Sequence, residues 1–168
     1  EITKEPFSVY ITGIDTYGKL SSVSRSDVNM VVTVNPKTHQ VLLTSIPRDY
    51  YVSVYGKTGL KDKLTHAGIY GIDVSMDTLG MLYDISLDKY FRVNFAGFIK
   101  IIDALGGIDI DSDAAFTAST DQEHSFTKGM NHMNGAAALA YSRERYAFQE
   151  GDRARGRHQM QVISAVIQ

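Results

Sequence analysis

The sequence predicts an α/β fold, a central mixed β-sheet flanked by helices on both faces (α–β–α). Three observations carry that expectation. Short runs rich in aromatic and β-branched residues alternate with longer segments of helical period. Two of the apolar runs, Val28–Asn35 and Gln40–Ile46, are separated by Asn35-Pro36, the spacing of a β-hairpin. The chain has 168 residues of which 43% are hydrophobic, enough for one domain with a buried core.

The elements follow in order. Phe7–Ile14 (FSVYITGI) reads as a strand running into Asp15 at a Gly-containing bend. Val28–Asn35 and Gln40–Ile46 form the hairpin, and Pro47 ends it with Arg48-Asp49 just beyond. Lys63 opens a Gly-interrupted helical stretch, His66–Tyr83, with Ile69, Ile72, Met76, Leu79 and Leu82 at helical spacing. Tyr90–Val93 is a short strand. Asn94 is placed to cap a helix over Phe95–Leu105, which Gly106-Gly107 stops. Ile108–Ile110 is again strand-like, and Gly135–Ser142 (GAAALAYS) is an Ala-rich helix. Gln159–Gln168 reads as an amphipathic helix with no stop signal, and the first residue is Glu1 rather than Met. A single domain over 1–168 with native sequence beyond both ends is therefore expected.

Composition excludes several classes. With no Cys, disulfide frameworks, thiolate nucleophiles and Cys-held metals are absent. No run reaches the roughly 18–20 apolar residues of a membrane span. The net charge of −2 gives no global case for nucleic acid. The average conceals an asymmetry, because five of the eight arginines lie between positions 143 and 157.

Three groups carry chemistry. Asp15 and Asp27 sit beside apolar strands, where α/β sites gather, and two carboxylates suit a hard cation such as magnesium. They serve equally well as a turn cap and a surface partner for Arg25. Arg25 and Arg48-Asp49 lie at strand ends and present phosphate-binding forks, or charges that protect a sheet edge. The third group spans Ser142–Tyr146 and Gly151–Gln159; over positions 142–159, five arginines against Glu144, Glu150 and Asp152 leave a local excess of +2. Arg155 and Gln159 share a face if helical, and Arg143 and Arg145 point the same way if extended. That is an anion cradle, or a solvated basic face. None of the five histidines has metal-ligand spacing, and no dinucleotide, Walker or nucleophile-elbow motif occurs.

The ordered motifs Thr12–Asp15, Ser24–Asn29, Ser45–Asp49, Lys63–Ala67, Ala138–Arg145 and Gly151–Gln159 cover nearly the whole chain. Together they resemble the LytR–CpsA–Psr family of Gram-positive cell-wall enzymes, with the streptococcal CpsA type nearest. The resemblance implies a phosphotransferase that moves a glycopolymer sugar-phosphate from a polyprenyl-pyrophosphate carrier to a peptidoglycan hydroxyl. It implies magnesium, with manganese as the alternative, on Asp15 and Asp27. Arg25, Arg48, Lys63, Arg143, Arg145, Arg155 and Gln159 match the pyrophosphate-binding positions. Arg25, Arg48, Arg143 and Arg145 are the expected catalytic cations, and Asp49, Asp152 and Arg153 the supporting residues. Asp27, Asp49 or no dedicated base takes the proton. Apolar residues of His66–Tyr83 and Phe95–Ile102 are expected to line the lipid pocket. The resemblance further implies a missing N-terminal membrane anchor, a domain on the outer face of the cell membrane, no nucleic-acid partner, and pyrophosphatase as a side activity. Rival readings are a nucleic-acid-binding regulator and a non-catalytic glycolipid-binding module; the first lacks a helix-turn-helix pattern.

Overall fold

Strand-forming runs and helical segments assemble into a mixed α/β structure, as the sequence leads one to expect. The computed structural model describes residues 4–19 and 23–168; Glu1, on which the expectation of a truncated N-terminus rests, lies outside them. The chain divides into two compact units, Glu1–Asn94 and Phe95–Gln168.

In the first unit, β1 (Phe7–Ile14), β2 (Val28–Asn35), β3 (Gln40–Ser45) and β6 (Lys89–Asn94) make a four-stranded sheet of order β3-β2-β1-β6. β2 is antiparallel to both neighbours, and β6 runs parallel to β1. A parallel neighbour requires a crossover. The intervening chain supplies the small hairpin β4 (Tyr51–Ser53) and β5 (Lys61–Lys63), then α1 (Leu64–Ala67), a 3-10 turn (Gly68–Tyr70) and α2 (Ile72–Tyr83). The helical stretch expected over His66–Tyr83 is thus broken at Gly71, whose φ of 118° no helix accommodates.

Period-2 alternation sends Tyr10 and Val31 to one face, where they pack with Leu64, Met76 and Leu79. Val9, Ile11, Met30 and Val32 occupy the other, and Met30 and Val32 are buried. A sheet apolar on both faces is the pattern of a layered α/β domain. The segment leading into β2 is held by backbone and side chain together: Ser24 N–H donates to the Gly68 carbonyl at 3.1 Å, Ser26 N–H to the Thr65 carbonyl at 3.2 Å, and Arg92 Nη2 donates to Ser24 Oγ at 2.8 Å. So close an approach leaves no room at Gly68, where a Cβ would meet the Ser24 oxygen at 2.3 Å.

In the second unit, α3 (Phe95–Ala104) leads to β7 (Ile108–Ser112), which pairs antiparallel with β10 (Gly129–Met133). A minor hairpin, β8 (Phe116–Thr117) and β9 (Ser125–Phe126), lies between them in sequence. α4 (Gly135–Arg143) is capped by Asn134, whose side chain accepts from Ala137 N–H at 2.9 Å. α5 runs over Asp152–Ile167, starting seven residues before the expected helix. Ile102, Ile110, Phe126, Met133, Tyr141 and Val162 form the core of this unit. Gly135 lets α4 approach α3, since a Cβ there would lie 2.4 Å from the Ile99 oxygen.

Replacing Gly68 by Ala forces the Ser24–Ser26 segment away from the 3-10 turn. We expect a loss of about 1–3 kcal/mol, the usual cost of overpacking, read from the denaturant midpoint; an unchanged midpoint contradicts the contact.

Candidate functional site

The register of the sheet decides which charged residues meet in the first unit. Gly13 lies opposite Val28, so β1 ends where β2 begins, and Asp15 and Asp27 share that end of the sheet. Asp27 N–H donates to the Gly13 carbonyl at 3.0 Å, and Asp15 N–H points to Asp27 Oδ2 at 3.4 Å. The β2–β3 register brings the residues after β3 beside Asp27: Ile46 N–H donates to the Asn29 carbonyl at 2.9 Å. Arg48 Nη1 then donates to Asp27 Oδ1 at 2.8 Å. The partner of Asp27 in this pair is Arg48 rather than the sequence neighbour Arg25, which is exposed.

Asp49 extends this cluster. Lys63 Nζ donates to Asp49 Oδ1 at 2.7 Å, and Arg48 Nε lies 3.7 Å from Asp49 Oδ2. The turn that carries Arg48 and Asp49 is clamped to α1, because Thr65 N–H donates to the Arg48 carbonyl at 2.9 Å and Leu64 N–H to the Tyr50 carbonyl at 2.8 Å. Five of the expected residues, Asp15, Asp27, Arg48, Asp49 and Lys63, are thereby gathered.

Beneath them lies a buried polar bridge that sequence reasoning missed. Tyr10 OH donates to Asn29 Oδ1 at 2.6 Å, and Asn29 Nδ2 donates to the Ser26 carbonyl at 3.1 Å. Both side chains are buried, and burial pushes the Tyr10 phenol up, so it stays a proton donor. The bridge fixes the backbone one residue before Asp27.

In the second unit, Arg143 is the last residue of α4, and Glu144 follows in extended conformation (φ −66°, ψ 133°). The expectation that Arg143 and Arg145 point together along an extended chain is corrected here, because helical backbone at Arg143 removes the two-residue alternation. The Arg143 guanidinium lies 4.4 Å from the Phe95 ring centroid, and Arg145 lies 4.6 Å from the Tyr146 ring, whose hydroxyl it also contacts.

α5 carries the remaining candidates. Arg155 and Gln159 are one turn apart on the same face, as expected for a helix. Asp152, in the first turn, pairs with Arg155 at 2.5 Å, and Arg157 pairs with Glu150. Arg153 is exposed. His158 anchors α5 from the inside: its ring stacks on Phe116 at 5.4 Å and packs on Tyr141 and Phe148. Burial, helped by the Arg157 charge, holds its pKa below the ordinary value.

Glu144, which the sequence shows only as one acid among the arginines, is fully buried. Burial alone raises its carboxyl. The N–H groups of Ser119, Ala147 and Tyr146, together with the Ser119 hydroxyl, outweigh that and hold it below the ordinary value.

The described residues contain no group of three or more His, Asp or Glu side chains able to hold a metal. The donor chemistry of Asp15 and Asp27 nevertheless suits a hard cation that takes one or two carboxylates and completes its shell with water and phosphate oxygens.

Residues 1–168 match the LytR_cpsA_psr family. The chain is 39% identical over 164 residues to TagU of Bacillus cereus, a polyisoprenyl-teichoic acid–peptidoglycan teichoic acid transferase, covering 97% of this chain and 52% of that protein. The crystal structure of TagV from B. subtilis is similar with a TM-score of 0.87 at 39% identity, over 99% of this chain and 65% of that one. TagT, solved with bound octaprenyl pyrophosphate lipid, has a TM-score of 0.79 at 33% identity, over 98% and 65% of the two chains. The chain therefore spans about half the length of the curated relatives it matches.

Two buried groups with lowered pKa contribute to the pH dependence of stability. His158 binds its proton more weakly folded than unfolded, so stability falls as pH drops below the ordinary histidine value of 6.5. Glu144 has the same sign lower down: its contribution is complete above 4.5 and is lost as pH falls through its depressed folded value. Replacing His158 by Phe should flatten the loss between pH 7 and 5 in denaturant titrations and leave the loss below 4.5. The same slope as the parent between pH 7 and 5 contradicts the assignment.

Proposed function

The chain belongs to the LytR_cpsA_psr family, and from that premise we propose that it is the catalytic part of a phosphotransferase acting on a polyprenyl-pyrophosphate-linked glycopolymer. The observation that carries this reading is the relative TagT, of the same fold, solved with octaprenyl pyrophosphate bound. A pyrophosphate concentrates negative charge, and its recognition calls for guanidinium and ammonium groups of the kind clustered here. Arg25, Arg48 and Lys63 in the first unit and Arg143, Arg145, Arg155 and Gln159 in the second bind phosphate oxygens. Asp49, Asp152 and Arg153 orient them. The matched relatives are teichoic acid transferases, which favours a teichoic-acid-type polymer over a capsular one.

Asp15 and Asp27 are the residues that would hold magnesium or manganese. When bound, such an ion draws phosphate charge toward itself. The rest of the chemistry belongs to the chain. A peptidoglycan sugar hydroxyl attacks the phosphorus joined to the glycopolymer sugar. The new P–O bond forms as the bridging P–O bond breaks, and polyprenyl monophosphate leaves with the electron pair. The hydroxyl proton passes to Asp27, to Asp49 or to solvent. Arginine donors hold charge where it develops, and phosphoryl transfer demands mainly that positioning and electrostatic stabilisation. Water in place of the sugar gives a pyrophosphatase side reaction. Among the described residues no helix is long and apolar enough to cross a membrane; a lipid carrier calls for a membrane surface, and a peptidoglycan acceptor supports the outer face of the cell membrane.

Replacing Arg48 or Arg143 by Ala in the full-length protein should lower turnover by about 10²–10³, the range for other electrostatic stabilisers. The assay is release of polyprenyl phosphate from a lipid-linked saccharide in the presence of a peptidoglycan oligomer. Wild-type turnover in both variants overturns the assignment, and binding of lipid without any release marks a non-catalytic module instead.

A further inference from the structure

A buried carboxylate between two cations requires a reason. Glu144 is 0% exposed and lies between Arg143 and Arg145 in the chain. Its hydrogen bonds divide by oxygen. Oε1 accepts from the N–H groups of Arg145 and Ala147, both at 2.8 Å. Oε2 accepts from Ser119 N–H at 2.5 Å. The Ser119 hydroxyl bridges the two oxygens at 3.0 and 2.9 Å. Every one of these donors is backbone N–H or hydroxyl, so the carboxylate is spent on chain geometry rather than on neighbouring guanidinium groups. With both oxygens engaged and no exposed surface, Glu144 does not reach substrate.

We infer that Glu144 is a positioning residue for the phosphate-binding arginines: it pins the backbone N–H of Arg145 and Ala147 through one oxygen and the Ser119 segment through the other. The inference rests on the function proposed above. α4 ends at Arg143, and its last backbone contact is the Glu144 N–H on the Tyr141 carbonyl at 3.4 Å. Arg145 follows in the loop, where its direction depends on where its own N–H is held. Ser119 stands 25 residues earlier in the chain and is tied down in turn by its neighbour, because Ala118 N–H donates to the His124 carbonyl at 2.9 Å. A single acid thus ties the arginine loop to a second, separate loop. An amide cannot replace it: Gln offers one acceptor oxygen and turns two donors toward N–H groups that need acceptors.

The test is a double-mutant cycle in the full-length protein with the polyprenyl-phosphate release assay, using Glu144→Gln, Arg145→Ala and both together. Each single variant is expected to lower kcat/KM by about tenfold or more, since a small misplacement of a charge-stabilising group is costly. The double variant is expected within about threefold of Arg145→Ala, because Glu144 acts through Arg145. Ile108→Val, a truncation on β7 in the same core, should lower Tm and leave kcat/KM within about twofold. If it costs as much as Glu144→Gln, general destabilisation explains the loss and the inference fails. Additive effects in the cycle, or wild-type kcat/KM in Glu144→Gln, also overturn it. If Glu144→Gln does not fold, Ser119→Ala decides, since it removes only the bridging hydroxyl. A fewfold loss present in the parent and absent in the Arg145→Ala background supports the inference; equal losses in both, or none, refute it. Wild-type kcat/KM in Arg145→Ala sinks the proposed function itself, whereas an impaired Arg145→Ala beside an unimpaired Glu144→Gln sinks only the role of Glu144.

Discussion

Cations proposed to bind a polyanion repel one another, and each needs a partner that holds it in place until the anion arrives. The rest of this structure depends on how that problem is solved. Several of the candidate cations rest on a local partner that a phosphate can displace: Arg48 on Asp27, Lys63 on Asp49, Arg155 on Asp152, Arg143 on the Phe95 ring and Arg145 on Tyr146. Most of these partners are partly exposed, and exposed ion pairs contribute little to stability. Weak partners are the right ones here, because a strong buried pair resists exchange for a ligand.

Rigidity comes from beneath. In the first unit, a neutral buried bridge does the holding together with backbone contacts and Arg92. Tyr10 and Asn29 form a buried bridge to the Ser26 carbonyl, and the 3-10 turn at Gly68 binds the Ser24 backbone. In the second unit a buried charge performs the equivalent task, with Glu144 satisfied entirely by backbone N–H and hydroxyl donors. In both units the candidate cations rest on side-chain partners, and the backbone beneath them is held by buried groups. Preorganisation of this kind places the cost of ordering in folding rather than in binding.

Much of this was legible in the sequence where the signal is local. The strands Phe7–Ile14 and Val28–Asn35 follow from their aromatic and β-branched content, and both have the expected bounds. The shared face of Arg155 and Gln159 follows from helical periodicity. The start of α5 at Asp152 was hidden because Asp152–His158 is polar and carries Gly156, which obscures the apolar period. Strand β10 (GMNHM) lacks the alternation that marks a strand, and its pairing with β7 stabilises it. Long-range pairing was beyond reach in the same way. Asp27 stands two residues from Arg25 yet pairs with Arg48, because β2–β3 register and not sequence distance sets the contact. Glu144 counted as one negative charge in a basic stretch, and its role depends on Ser119, 25 residues away.

Under the proposed function, the Asp27–Arg48 pair is a resting contact that a phosphate group replaces. The most direct measurement is a crystal structure of the protein with a polyprenyl pyrophosphate and magnesium. Phosphate oxygens are expected within hydrogen-bonding distance of Arg48 and Lys63, with the Asp27 carboxylate released from Arg48. Phosphates bound elsewhere, with Arg48 Nη1 still on Asp27 Oδ1 as at the present 2.8 Å, contradict it.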